Sequence, residues 1–158
     1  MLRDFMLHME WADARVWDAV LAQGGNDARL HRLLYHLHAT QHAFLEVWRT
    51  GSFVNDVPED HFPDLASIRE WSRPYYAAAM QVLESEKEDR IVRLPWADAY
   101  MKRFGRTAAA TTFAETVIQV TSHSTYHRGQ IAARLRERGA EPPLVDYIAW
   151  LWLARDSE

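Results

Sequence analysis

His123 and His127 stand four residues apart in the stretch HSTYHRGQI, residues 123–131. On an α-helix that spacing puts both imidazoles on one face, one above the other, with Cβ atoms roughly 6 Å apart. Two imidazoles so placed suit two ligands of one transition-metal ion, and they also suit two ordinary polar residues at the rim of a core. A catalytic metal site wants three protein ligands and an open position. The chain has no Cys, so thiolate ligands, a thiol nucleophile and disulfides are all excluded, and any metal must be held by His and carboxylates. The other histidines able to complete such a site are His36, His38 and His42 in HLHATQHAF, and His8 near the N-terminus. His61 lies in a Pro-flanked loop and is not expected to contribute.

These residues need helices to carry them, and the sequence supplies helix signals in order. Residues 4–23 have apolar residues at helical spacing, and Gly24-Gly25 follows as a stop. Residues 28–50 form the second helix, opened by Asn26 or Asp27 and ended by Gly51. A loop over 52–63 follows. Asp64 caps a third helix in which Pro74 predicts a kink or break near Ser72–Arg73. Residues 89–111 read as a loose hairpin or as a long crossover loop. Thr112 and Glu115 then spell a capping box for a fourth helix that runs to Arg138 and stops at Gly139. After Pro142-Pro143, LVDYIAWLWLAR gives a short apolar terminal helix. The expected fold is all-α: a four-helix bundle over residues 1–158, with a long crossover before the last long helix and a short C-terminal helix.

A helical wheel ranks the histidines. On the fourth helix the apolar centre falls near Phe113, Val120, Ser124 and Ile131, with His123 and His127 at its edge. On the second helix His36 falls beside Thr40, Ala43 and Val47 at the edge of the apolar stripe. His38 and His42 fall with His31 and Arg49 on the opposite edge, where a solvated face is expected. His36 is thus the preferred third ligand; a modest helix rotation would promote His38, and His8 is a further candidate.

Other chemistries lack their residues. No Glu has a His three positions on, which removes the di-iron pattern of ferritin-like bundles. There is no His-Glu-x-x-His, no Gly-x-Ser-x-Gly and no phosphate-cradling glycine loop. The net charge of −4 is spread in both signs, which speaks against nucleic acid, and no apolar run reaches membrane-spanning length. A cytoplasmic location is expected.

Together these stretches resemble the DinB/YfiT-like metal-binding four-helix bundles over almost the whole chain. Trp11-Ala12-Asp13 is similar to the Trp-Ala-Asn element of that family's first helix. LLYHLHATQHAFLEVW resembles its second, where a His-Leu or His-Ile pair precedes an aromatic by eight residues; His36-Leu37 and Phe44 fit that spacing. HSTYHRGQIAARLRERGAEPPLVDYIAWL resembles its most specific stretch. The chain departs at Asp13, where Asn is usual, and at Phe44, where Trp is commoner. The resemblance implies a divalent metal (zinc, nickel or iron) held by His36, His123 and His127. It also implies a thiol-dependent transferase or isomerase activity using mycothiol or bacillithiol, although many members have no known reaction.

Three neutral imidazoles favour an anionic fourth ligand, either a thiolate or a hydroxide. Arg128 is a candidate to bind an anionic thiol and equally a candidate for a structural ion pair. Gln130 can hydrogen-bond a ligand imidazole or the substrate. Gly129 is expected to permit close helix packing, Tyr126 to pack, and Asp146 to cap the last helix or pair with an arginine. The terminal helix is apolar nearly all round, which fits burial in its own bundle or a homodimer. The rival to an enzyme is a non-catalytic metal-binding or interaction bundle.

Overall fold

The computed structural model describes residues 1–23, 25–54 and 57–155. Helix α1 spans Leu2–Gln23 and α2 spans Ala28–Thr50. Asp27 caps α2, accepting from the backbone N–H groups of Arg29 and Leu30 at 3.0 and 2.9 Å. Gly51 ends it in the left-handed region at φ 74°, donating its N–H to the Val47 carbonyl. Asp27 also accepts from Arg134 and Arg138 at 2.7 and 3.0 Å, so the start of α2 is clamped to the far end of the last long helix. Hydrogen bonding from Arg134 holds this carboxyl well below the usual carboxylate range.

A single 3-10 turn, Glu59–His61, interrupts the loop after α2, and His61 sits exposed on it. The third rod is broken, as Pro74 requires, into α3 (Leu65–Ser72) and α4 (Tyr75–Ser85). Asp64 opens α3 through a capping box with Ser67. The ambiguous stretch resolves into a small staple. Strand β1 (Ile91–Val92) pairs antiparallel with β2 (Thr111–Thr112), Ile91 opposite Thr112, and a six-residue helix α5 (Ala97–Lys102) lies between them. Alternation along DRIVRLPW marked the first strand, but nothing periodic marked α5. Helix α6 spans Phe113–Glu137 behind the expected Thr112/Glu115 capping box, and Gly139 follows at φ 77°.

Helix α7 spans Tyr147–Leu153. Asp146 stands at its N-cap position but its side chain makes no capping hydrogen bond. Trp150 is fully buried, whereas Trp152 is 77% and Leu153 64% exposed, so one face of this helix enters the bundle and the other does not. Among the described residues no helix is long and apolar enough to cross a membrane.

Two apolar cores fill the bundle. One gathers Met6, Met9, Phe44, Trp48, Phe113, Val117 and Val120. The other gathers Val16, Trp17, Leu34, Leu37, Ile68, Ile131 and Leu135. Between them, at the level of residues 13, 38, 41, 124 and 128, lies a buried polar layer. Asp13 accepts from Arg128 Nη1 at 2.8 Å, from Gln41 Nε2 at 2.8 Å and from the Tyr76 hydroxyl. Gln41 Nε2 also reaches Ser124 Oγ at 3.2 Å.

The same layer corrects the wheel. His38 is buried at 1% exposure, not solvated. Trp17 Nε1 donates to His38 Nε2 at 2.9 Å, and an indole N–H can only donate, so the His38 proton sits on Nδ1 and goes to Gln41 Oε1 at 2.8 Å. His42 is not solvated either: it is half-buried and stacked on Trp71, ring centres 4.3 Å apart. His31, also half-buried, sits between Glu59 and the Phe62 carbonyl. A wheel assumes one buried stripe per helix, but α2 packs against α6 on one side and against α3 and α4 on another. Its supposedly wet edge is therefore an interior one.

Candidate metal centre

Helices α2 and α6 bring His36, His123 and His127 together, with one ring nitrogen from each lying within 4.8 Å of the other two. Ring centres are 4.3 Å apart for His123 and His127, 4.7 Å for His36 and His127, and 5.3 Å for His36 and His123. The i, i+4 pair comes from α6 as its spacing predicts. The third ring comes across the groove from α2, the helix pair with the most extensive contact in the bundle. His127 is buried, His123 half-buried and His36 exposed, so the cluster is closed on the bundle side and open on the other.

Gln130 fixes the orientation of one ring. Its Oε1 lies 2.8 Å from His127 Nδ1, and its Nε2 donates to the Tyr126 hydroxyl at 3.0 Å. The His127 proton therefore sits on Nδ1, and the Nε2 lone pair points at the cluster. His127 Nε2 and His123 Nε2 approach to 3.1 Å. Two nitrogens bound to one ion at about 2.0–2.1 Å sit about 2.9 Å apart at a right angle and about 3.3 Å apart at the tetrahedral angle, so this separation fits a shared ion. His123 Nδ1 is buried without a hydrogen-bond partner among the described residues. Desolvation, reinforced by the neighbouring His127 and His36, pushes the His123 imidazole down to about 4. Desolvation likewise lowers His127. Both rings are neutral near pH 7, the protonation state that a metal ligand needs.

The remaining candidates lie elsewhere. His8 is on α1, its Nε2 2.9 Å from the Val145 carbonyl and its ring against Tyr147 and Trp150, tying α1 to the C-terminal segment. His38 belongs to the polar layer. Arg128, although next to His127 in sequence, is 2% exposed and bonded to Asp13 and to Thr125 Oγ1, each at 2.8 Å. Gly129 does not serve close packing, since a Cβ there would meet nothing within 4 Å. Tyr126 is 64% exposed and holds Gln130 rather than packing.

A family model, that of the DinB family, matches residues 17–158. The chain belongs to the DinB family. None of the curated proteins compared with it matches. The matched span contains His36, His123, His127 and Gln130, whereas His8 and Asp13 precede it. In this DinB chain the buried anion that neutralises Arg128 is Asp13, which no motif of the sequence marks as its partner. Asp13 registered only as a departure from the usual Asn. Its partner lies 115 positions away, beyond the reach of any local pattern.

Proposed function

We propose that this DinB chain binds one divalent transition metal through His36, His123 and His127 and acts as a metal-dependent enzyme, with transfer of a thiol as the leading reaction and hydrolysis as the second. The observation that carries the reading is the convergence of three imidazoles from two helices on one point, open on the His36 side. Structural zinc sites are closed by four ligands, and three with an open face suit chemistry instead. A divalent ion held by these three residues would supply the Lewis acidity that activates a thiol or a water as a nucleophile near neutral pH.

The chain's own residues have narrower roles. His127 offers Nε2 because its Nδ1–H donates to Gln130 Oε1. His123 enters already neutral, so binding releases no proton from it at pH 7. Gln130 orients, while Arg128, committed to Asp13, holds α6 against α1.

Metal content of untagged protein tests this. The parent is expected to carry about one equivalent after loading with zinc, nickel or iron, and His36→Ala, His123→Ala and His127→Ala are expected to carry almost none. His61→Ala, exposed on its turn, is the matched control and should keep the metal. A parent that binds none on loading overturns the reading. In the same titrations Gln130→Ala should weaken metal affinity about 10–100-fold without changing the final stoichiometry. Unchanged affinity would remove Gln130 from the site.

A further inference from the structure

Beside the three histidines opens a cleft of about 1020 Å³, with His36 and His123 in its lining. Its walls are the Thr40–Phe44 face of α2, the outer start of α6, Phe53 of the loop after α2, and the crossover residues Leu94, Trp96, Tyr100 and Met101. Trp96 is held edge-on by Phe44 at 5.2 Å and by Phe53 at 6.0 Å between ring centres. Several of the polar side chains that line the cleft are already hydrogen-bonded within the protein. Thr116 Oγ1 accepts from Trp48 Nε1 and donates to the Phe113 carbonyl. Glu115 spends one oxygen on the Thr112 cap. Thr40 donates to the His36 carbonyl.

Among the described residues, no Lys or Arg lines this cleft. Lys102, Arg103 and Arg106 of the crossover lie outside its lining. Lys102 and Arg106 line a separate surface depression with Asp98, and Arg103 lies 4.8 Å over the Tyr100 ring at the rim. Arg128 lines a cavity on the other flank of α6. A ligand carboxylate placed among Trp96, Phe44 and Leu94 would lose its hydration with no Lys or Arg of the lining to replace it, and the carboxylate in that lining, Glu115, has the same sign. An uncharged ring there would bury apolar area against four aromatic side chains.

We infer that the ligand this cleft takes is a neutral molecule with a flat apolar body, its single donor atom reaching the three histidines, and that anionic thiols are discriminated against by the walls. The inference rests on the three-histidine reading for the role of the donor atom, but the preference itself comes from the walls. Trp96 and Tyr100 are the residues that set it.

The test compares phenylmethanethiol with its anionic analogue 4-(sulfanylmethyl)benzoate, each titrated calorimetrically into the metal-loaded and the metal-free protein. The neutral thiol is expected to bind at least about tenfold more tightly in both states. Tyr100→Ala, at a position 55% exposed and therefore tolerant, should weaken the neutral thiol several-fold, and Trp96→Ala should weaken it further. Ala109→Lys, which adds a cation to the exposed edge of the cleft, should erase the preference. Equal or tighter binding of the benzoate, indifference to Tyr100→Ala and Trp96→Ala alike, or binding of neither thiol overturns the inference. If the protein takes up no metal yet keeps the tenfold preference, the proposed function fails while the assignment of the cleft stands.

Discussion

Asp13→Ala is expected to cost about 3–5 kcal/mol of folding stability, a large share of the 5–15 kcal/mol typical of a domain. The reason is what it leaves behind. Arg128 would keep its charge at 2% exposure with no anion, and Gln41 and Tyr76 would each lose an acceptor. Desolvation alone would raise the Asp13 carboxyl, but Arg128, His38 and the Tyr76 hydroxyl together hold it below its ordinary value, so it is an anion at pH 7. Urea denaturation of parent and variant measures the loss. Asp13→Asn, which keeps an acceptor of the same shape, should cost less than Asp13→Ala. The double variant Asp13→Leu/Arg128→Met should cost far less than its two single changes added together, because removing both charges leaves no buried ion. A loss below about 1 kcal/mol for Asp13→Ala would show that water or a side-chain shift compensates Arg128, and would dissolve the polar layer as a stabilising element.

The second large effect appears on acidification. Desolvation pushes His42 down to about 4, with His38 adding to it and the Trp71 backbone carbonyl opposing. Above pH 6.5 the residue is neutral in folded and unfolded chains alike and contributes nothing to the pH dependence. Between pH 6.5 and 4 the unfolded chain takes up a proton that the folded chain refuses, so stability falls as pH falls, by roughly 3 kcal/mol once both are protonated. The buried His38 is lowered by desolvation too and acts in the same direction. Denaturation at pH 7 and pH 5 should show the parent losing about 2 kcal/mol from His42 alone. His42→Phe keeps the stack on Trp71 and abolishes the titration, so its loss over the same interval should be smaller by that amount. Parallel losses in the two proteins would mean that His42 is hydrated in the folded state.

Sequence signals of short range translated directly into structure. Asp27, Gly51, the Asp64 and Thr112 caps, Pro74 and Gly139 set element ends because each acts on backbone groups within four residues. The pairing of His123 with His127 was legible for the same reason, and His36 followed from its place at the edge of a stripe. The interior layer was not legible. Whether an edge of α2 faces water depends on how many neighbours pack on it, which is a property of the assembled bundle. His38 and Gln41 were consequently assigned no structural role, and Arg128 was left between two uses until Asp13 appeared beside it. The cleft is not legible in the sequence, because residues 93–110 carry no periodicity and Phe53, Trp96 and Tyr100 come together only through tertiary contact.

The two-rung β1–β2 ladder has a further consequence. It pins the crossover at its root, Phe113 N–H also donating to the Arg90 carbonyl at 2.7 Å, so residues 93–110 form a loop whose ends are fixed independently of what it contains. Closing a loop twice as long between the same ends costs only about 0.6 kcal/mol. The helices that carry the histidines take no part in that cost. Insertions and exchanges in this segment would reshape the wall of the cleft and leave the imidazoles where they are, so the shape of the cleft can vary without moving the three histidines.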